Sequence, residues 1–306
     1  RAFCWELEKI CGFLSGVGGK NRGIKLKQEV CKMVYYLGEE LIETTEDEAF
    51  ETGQSAVFIV NEDECPRILP KLGISYEREY KLEDVYFCKA EAQQDCIFGT
   101  FLIPKLRDIM GSRYRLMFFI TLNDIIIVDD DGFAMRILKR ILRRKIHQGE
   151  SKEKFMYNFI SEFMSKDSEL LEKFEHRLMN MEDEALHEDD PDFLVTLLRT
   201  RKQLLTLRGY YDQISELGKI LEEDENHFFK KNQTKYFGTL SDRAERLIGK
   251  TVHLIDYAQQ VKDIYQSNVA NQQNQNMQFL TILSYILCVL KMFVYILRVM
   301  WIVLLN

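Results

Sequence analysis

The chain has 306 residues, 46% hydrophobic and 29% charged, with a formal net charge of -7. That length supports one domain with a real core plus one extended element. The acidic balance argues against a nucleic-acid partner, which calls for a basic face, and suits cations better.

Residues 1–32 form an N-terminal extension with no clear pattern. Glu6, Glu8 and Lys9 make its mildly apolar part too charged for a signal-peptide core. Gly16, Gly18, Gly19 and Lys20 depart from a phosphate loop, with Leu14 and Asn21 at positions that the loop needs. From Met33 the pattern becomes regular. Met33 to Leu37 and Ser55 to Val60 read as strands separated by a polar turn region. Pro66 to Leu72 reads as a short helix ending at Gly73. Val85 to Ala90, Cys96 to Ile103, Tyr114 to Leu122 and Ile125 to Val128 read as further strands. Asn123-Asp124 turns the last pair, and Asp129 to Gly132 closes it. Ala134 to Lys145 is a basic amphipathic helix.

Lys152 to about Glu184 carries Phe155, Phe159, Phe163, Phe174 and Leu178 at helical spacing. Asp190 and Pro191, as N-cap and first position, restart a helix that reaches Leu221. The short link predicts antiparallel neighbours, a hairpin over 152–224. Its tip is acidic (Glu182, Asp183, Glu184, Glu188, Asp189, Asp190, Asp192), a run that is ordinarily solvated. Residues 33–235 thus read as an α/β domain with a long helical hairpin. The seven cysteines contain no C-x-x-C, and the five histidines are scattered without ligand spacing. A disulfide framework and a zinc site are therefore not expected, and a reducing cytosol is.

Gly238 and a T-x-x-D start (Thr239, Asp242) predict a capped helix. It continues as a stalk over 239–278 and a transmembrane helix over 279–305, on the order of 100 Å in all. One seam holds Asp256, Lys262 or Asp263, Ser267, Ala270, Asn274, Met277, Thr281, Ser284, Cys288, Lys291, Tyr295 and Arg298. The opposite side of the last part holds Phe279, Ile282, Ile286, Leu290, Phe293, Leu297 and Trp301. Lipid outside and a partner or pore inside fits such a division. Lys291 and Arg298 share the small, polar side, so they would point into a bundle. With no secretory signal before the span, the soluble part is expected in the cytoplasm and the helix in the cell (inner) membrane.

Tyr236-Phe237 heading the helix, Asp263-Ile-Tyr-Gln-Ser-Asn268, Asn271, Asn274, Met277 and Phe279-Leu-Thr-Ile-Leu283 resemble the CorA family of magnesium channels. The resemblance runs loosely over about residues 33–287. It implies a homopentamer in the lipid bilayer that transports Mg2+, or the divalent cations Co2+, Ni2+ or Zn2+, and is not an enzyme. It places Asp263, Asn274, Met277 and Leu280 along the pore, with Thr281 and Ser284 on the same seam. Near the stalk top, where the family holds a regulatory metal, this chain has Thr239, with Asp242 the nearest carboxylate. Amide and carboxylate rings suit an ion that keeps most of its water, and Met and Leu rings can gate by excluding it. The chain also departs from the family. Arg298-Val299-Met300 stands where Gly-Met-Asn belongs, Cys288-Val289 where an apolar-Pro pair belongs, and no second membrane helix or basic tail follows. A ring of Lys291 and Arg298 would repel a divalent cation by several kcal/mol at intermediate dielectric (roughly). The sequence therefore also reads as a divergent, truncated or frame-altered copy, and a membrane-anchored oligomeric structural or interaction protein without transport is the alternative. No nucleophile–base pair, metal cluster or phosphate loop supports an enzyme.

Overall fold

The computed structural model describes residues 33–75, 80–143, 151–187 and 192–304. The N-terminal extension, the Asp190-Pro191 restart, Glu188 and Asp189, and the end of the basic helix past Arg143 lie outside them.

The first strands and helices are β1 (Met33–Tyr36), β2 (Ile42–Thr44), α1 (Glu46–Thr52), β3 (Ala56–Val60) and α2 (Cys65–Ile68). They are followed by β4 (Lys89–Ala92), β5 (Ile97–Lys105), β6 (Asp108–Ile120) and β7 (Ile125–Val128). The seven strands form one mixed sheet in the order β2-β1-β3-β7-β6-β5-β4. Only β3 and β7 run parallel, with Val57 opposite Ile125; the other pairs are antiparallel. β3 (Ala-Val-Phe-Ile-Val) and β7 (Ile-Ile-Ile-Val) are buried throughout. Unbroken apolar runs are what strands covered on both faces require.

Alternation sends Val57, Ile59, Phe118, Ile125 and Ile127 to one face and Phe58, Val60, Phe119, Ile126 and Val128 to the other. The second face is covered by Ala49 of α1 and by Cys65 and Ile68 of α2. The first packs on α3 (Phe133–Arg143), α4 (Lys152–Phe163), α5 (Asp167–His187), α6 (Phe193–Glu223) and the lower part of α7 (Lys235–Leu304). The result is a three-layer α/β domain with one helix running far beyond it.

Several expected boundaries move, each for a physical reason. The polar region after β1 holds β2 and α1, and α1 starts with a capping box in which Thr45 and Glu48 satisfy each other's backbone amides. The strand expected over 85–90 begins at Lys89, because Leu82–Asp84 forms a 3-10 turn that Val85 ends. The helix expected from Lys152 to Glu184 breaks after Phe163. The Met164 carbonyl accepts the Asp167 amide at 3.3 Å and also Arg243 Nη2 of α7 at 3.0 Å, so a tertiary partner shares the acceptor at the break. α5 and α6 pack mainly on α7 and touch each other little, so the expected side-by-side hairpin is splayed around the long helix.

The long helix itself starts at Lys235, a turn before the predicted T-x-x-D cap. The Thr239 hydroxyl donates back to the Lys235 carbonyl at 3.1 Å, as inside a helix. Gly238 therefore marks no helix start. A Cβ there would meet the Glu222 carboxylate, and one on Gly218 of α6 would lie 3.1 Å from the Phe237 carbonyl and 3.2 Å from the Ser241 amide. The two glycines let α6 and α7 cross closely.

Candidate functional site

Helix α7 has two halves. In the lower one, Phe237, Leu240, Ala244, Leu247, Thr251, Leu254, Ala258 and Val261 form a buried stripe at steps of three and four. Phe229 meets Phe237 with ring centroids 4.9 Å apart, and Tyr236 lies against Tyr157 at 5.7 Å.

Among the described residues, the uppermost hydrogen bonds and ring contacts between the helix and its own domain come at the tip of α5 and the start of α6. Tyr257 donates to Glu182, and this bond pushes the phenol up to about 12. Phe193 stacks on Tyr265 at 4.4 Å. The Asn268 amide donates to the Ala185 carbonyl at 3.1 Å and the Leu186 carbonyl at 3.4 Å, satisfying acceptors that the end of α5 leaves open. Spacing alone gives Asn268 no role of its own and makes Glu182 part of a solvated run. Each was visible as a polar residue at the level where the buried stripe ends.

Beyond Asn268 the predicted pore residues follow. Asp263 is exposed and accepts from Gln259 Nε2 at 2.9 Å. Asn274, Met277, Leu280, Thr281 and Ser284 are exposed as well, and the Thr281 hydroxyl donates to the Met277 carbonyl at 2.8 Å. At about 100° per residue, Asp263, Asn274, Met277, Thr281 and Ser284 fall within an arc of roughly 80°, and Leu280 lies about 40° outside it. Met277, Leu280, Thr281, Ser284 and Cys288 line one open groove along the helix. The arc lies roughly opposite buried Leu254, Ala258 and Val261. The seam thus faces away from the chain's own domain.

Asp242 stands exposed on the same side, lower down, beside Lys219, which pairs with Glu245 at 2.7 Å. Among the described residues no three His, Cys, Asp or Glu side chains gather where one metal ion could be held. The single chain therefore brings carboxylates and amides to a line, not to a closed cage.

From Gln273 to Leu297 every residue is exposed. The described residues contain one helix long and apolar enough to cross a membrane, and its apolar window is wholly unburied. A soluble core helix would bury such a face, so lipid is the environment that suits it.

A model of the CorA-like Mg2+ transporter protein family matches residues 56–289. The chain belongs to that family. A search of the curated proteins finds no match. Among solved structures, the complete CorA magnesium transporter from Methanocaldococcus jannaschii superposes with a TM-score of 0.68 at 18% identity, covering 82% of this chain and 81% of that one. The cytoplasmic domain of ZntB from Vibrio parahaemolyticus gives 0.62 at 11% identity, covering 79% and 98%. These likenesses establish the fold: the CorA-type α/β domain, with a long C-terminal helix that continues into a candidate membrane span.

Proposed function

We propose that the chain forms a homopentamer whose five α7 helices surround an ion path, with the α/β domain in the cytoplasm and the upper half of α7 in the cell membrane. The observation that carries this reading is the arc of Asp263, Asn274, Met277, Thr281 and Ser284, turned away from the buried stripe of the same helix. Only copies of the same helix can cover that face evenly on all subunits. Asn274 and Asp263 offer amide and carboxylate oxygens to a hydrated divalent cation, Mg2+ foremost. Met277 and Leu280, one turn up, form an apolar ring that excludes water when the helices close. Asp242 would contribute to a cation-sensing site only with ligands from a neighbouring subunit.

A second reading, an anchored oligomer without transport, is favoured by Lys291, a cation exposed in the apolar stretch on the polar side. Light scattering on the detergent-solubilised chain, with and without Mg2+, tests the assembly. Uptake of Mg2+ into vesicles holding the wild type or Asn274→Ala tests conduction. A pentamer whose flux falls in Asn274→Ala supports the channel. A silent pentamer leaves the anchored oligomer, a dimer sinks the channel, and a monomer sinks both.

A further inference from the structure

Away from the long helix, three elements of the α/β domain bring cations to one cavity of about 330 Å³. Lys105 and Arg107 come from the β5–β6 hairpin tip, where the register shifts between Pro104 and Lys105. Arg140 comes from α3, and Lys166 from the break between α4 and α5. Lys105 Nζ lies 4.7 Å over the Tyr114 ring, which stacks on Phe133 at 4.1 Å. This holds the ammonium at the mouth and leaves Ile103 and Phe163 as an apolar floor.

The one carboxylate in the lining, Glu162, is nearly buried, with Oε2 3.5 Å from Arg140 Nε. Among the described residues no carboxylate is in ion-pair contact with Lys105, Arg107 or Lys166. In a chain of net charge -7, four cations facing one paired carboxylate reverse the local field. Convergent cations in a concave site focus it on an anion.

We propose that this cavity binds a soluble phosphorylated small molecule of the nucleotide class. Lys105, Arg107, Arg140 and Lys166 would hold the phosphates, and the Ile103 and Phe163 floor would take the ring. A lipid headgroup carries the same phosphate but cannot reach the site. Arg243, bonded to Met164 two residues from Lys166, marks the level of the cavity on α7. The apolar stretch begins at Phe279, roughly 50 Å further along at about 1.5 Å per residue. A phosphate competing for Arg140 would also loosen Glu162, which lines a neighbouring cavity of about 270 Å³ together with Arg243 of α7. Occupancy would thereby be felt at the base of the long helix.

The test is calorimetric titration of the solubilised full chain with ADP, ATP and pyrophosphate in EDTA at physiological salt, alongside sedimentation with vesicles rich in anionic lipid. The expected result is saturable binding of ADP or ATP, one per chain. It should weaken roughly tenfold or more in both Lys105→Glu/Arg107→Glu and Lys166→Glu, consistent with lost charge-assisted contacts. Lys166→Glu lies outside the sheet, so it keeps the test decisive if the hairpin variant misfolds. No saturable binding, or binding unchanged in Lys166→Glu, overturns the site. Pyrophosphate bound as tightly as ADP overturns the nucleotide assignment, and binding to vesicles alone overturns the soluble ligand.

Discussion

The two halves of α7 obey the same helical period and meet opposite surroundings. Between Phe237 and Val261 one apolar stripe is buried against α5 and α6, and the rest of the surface is polar. From Gln273 to Leu297 nothing is buried, and from Phe279 on apolar side chains cover all but one polar seam. A narrow apolar stripe asks for a protein partner, whereas an apolar surface with a narrow polar seam asks for lipid outside and its own copies inside. The Asn/Gln-rich tract at 271–278 is where one regime gives way to the other. Its side chains suit neither a dry core nor acyl chains.

That contrast is open to direct attack. The largest effect should come from Phe237→Ala, which empties a fully buried site and should cost about 3–5 kcal/mol of domain stability in urea titrations followed by circular dichroism. Phe279→Ala, in the bare half, should leave the same transition within about 0.5 kcal/mol. Equal losses at both positions would erase the distinction.

Next comes a pH effect confined to the lower half. Burial raises the Asp167 carboxyl from 3.8 to about 6, with Tyr211 and Arg243 beside it pulling the other way. The fold therefore holds the proton more tightly than the unfolded chain does. Its contribution is fully present below about pH 4 and is lost as pH rises through 6. Asp167→Asn should flatten that decline, raising stability at pH 7 relative to pH 4 by about 2 kcal/mol. A stability profile unchanged by the substitution would show that Asp167 does not carry the slope.

Glycine substitutions separate packing from propensity. Gly218→Ala puts a methyl against the backbone of α7 and should destabilise by about 1 kcal/mol despite better helix propensity. Gly249→Ala, with nothing within 4 Å of its would-be Cβ, should stabilise by roughly 0.5–1 kcal/mol. Thermal melts of the pair should move in opposite directions. The smallest effect is Asn268→Ala. It leaves the last carbonyls of α5 to water and should speed amide exchange near Leu186 while changing global stability by about 1 kcal/mol or less.

Much of this was legible in the chain. The β7 run Ile125–Val128 is legible to the residue, because an unbroken β-branched segment bounded by Asp and Asn admits few other structures. The seam was legible too, since a helix of 70 residues lets a period of three and four accumulate until its face is unambiguous. The capping box at Thr45 and Glu48 is a local signal present in the sequence.

Other features had no local signal. Phe155, Phe159 and Phe163 continue in phase toward Phe174, so periodicity runs straight through the break at Met164. Arg243, 79 residues away, donates to the carbonyl at that break, a partner no local pattern announces. Gly238 looked like punctuation and is a crossing point. The four cations of the cavity are scattered over a hairpin tip, a helix and a helix break, and no spacing rule joins them.

The sequence by itself determined the five inner strands of the sheet, the helical period of α7 and the division between its packed and bare halves. These rest on side-chain spacing, which the covalent chain fixes before it folds. Only the tertiary structure decided where helices stop, how closely α6 and α7 cross, which polar groups close the end of α5, and that four distant cations share one cavity. Those depend on groups far apart along the chain competing for the same hydrogen bonds and the same space.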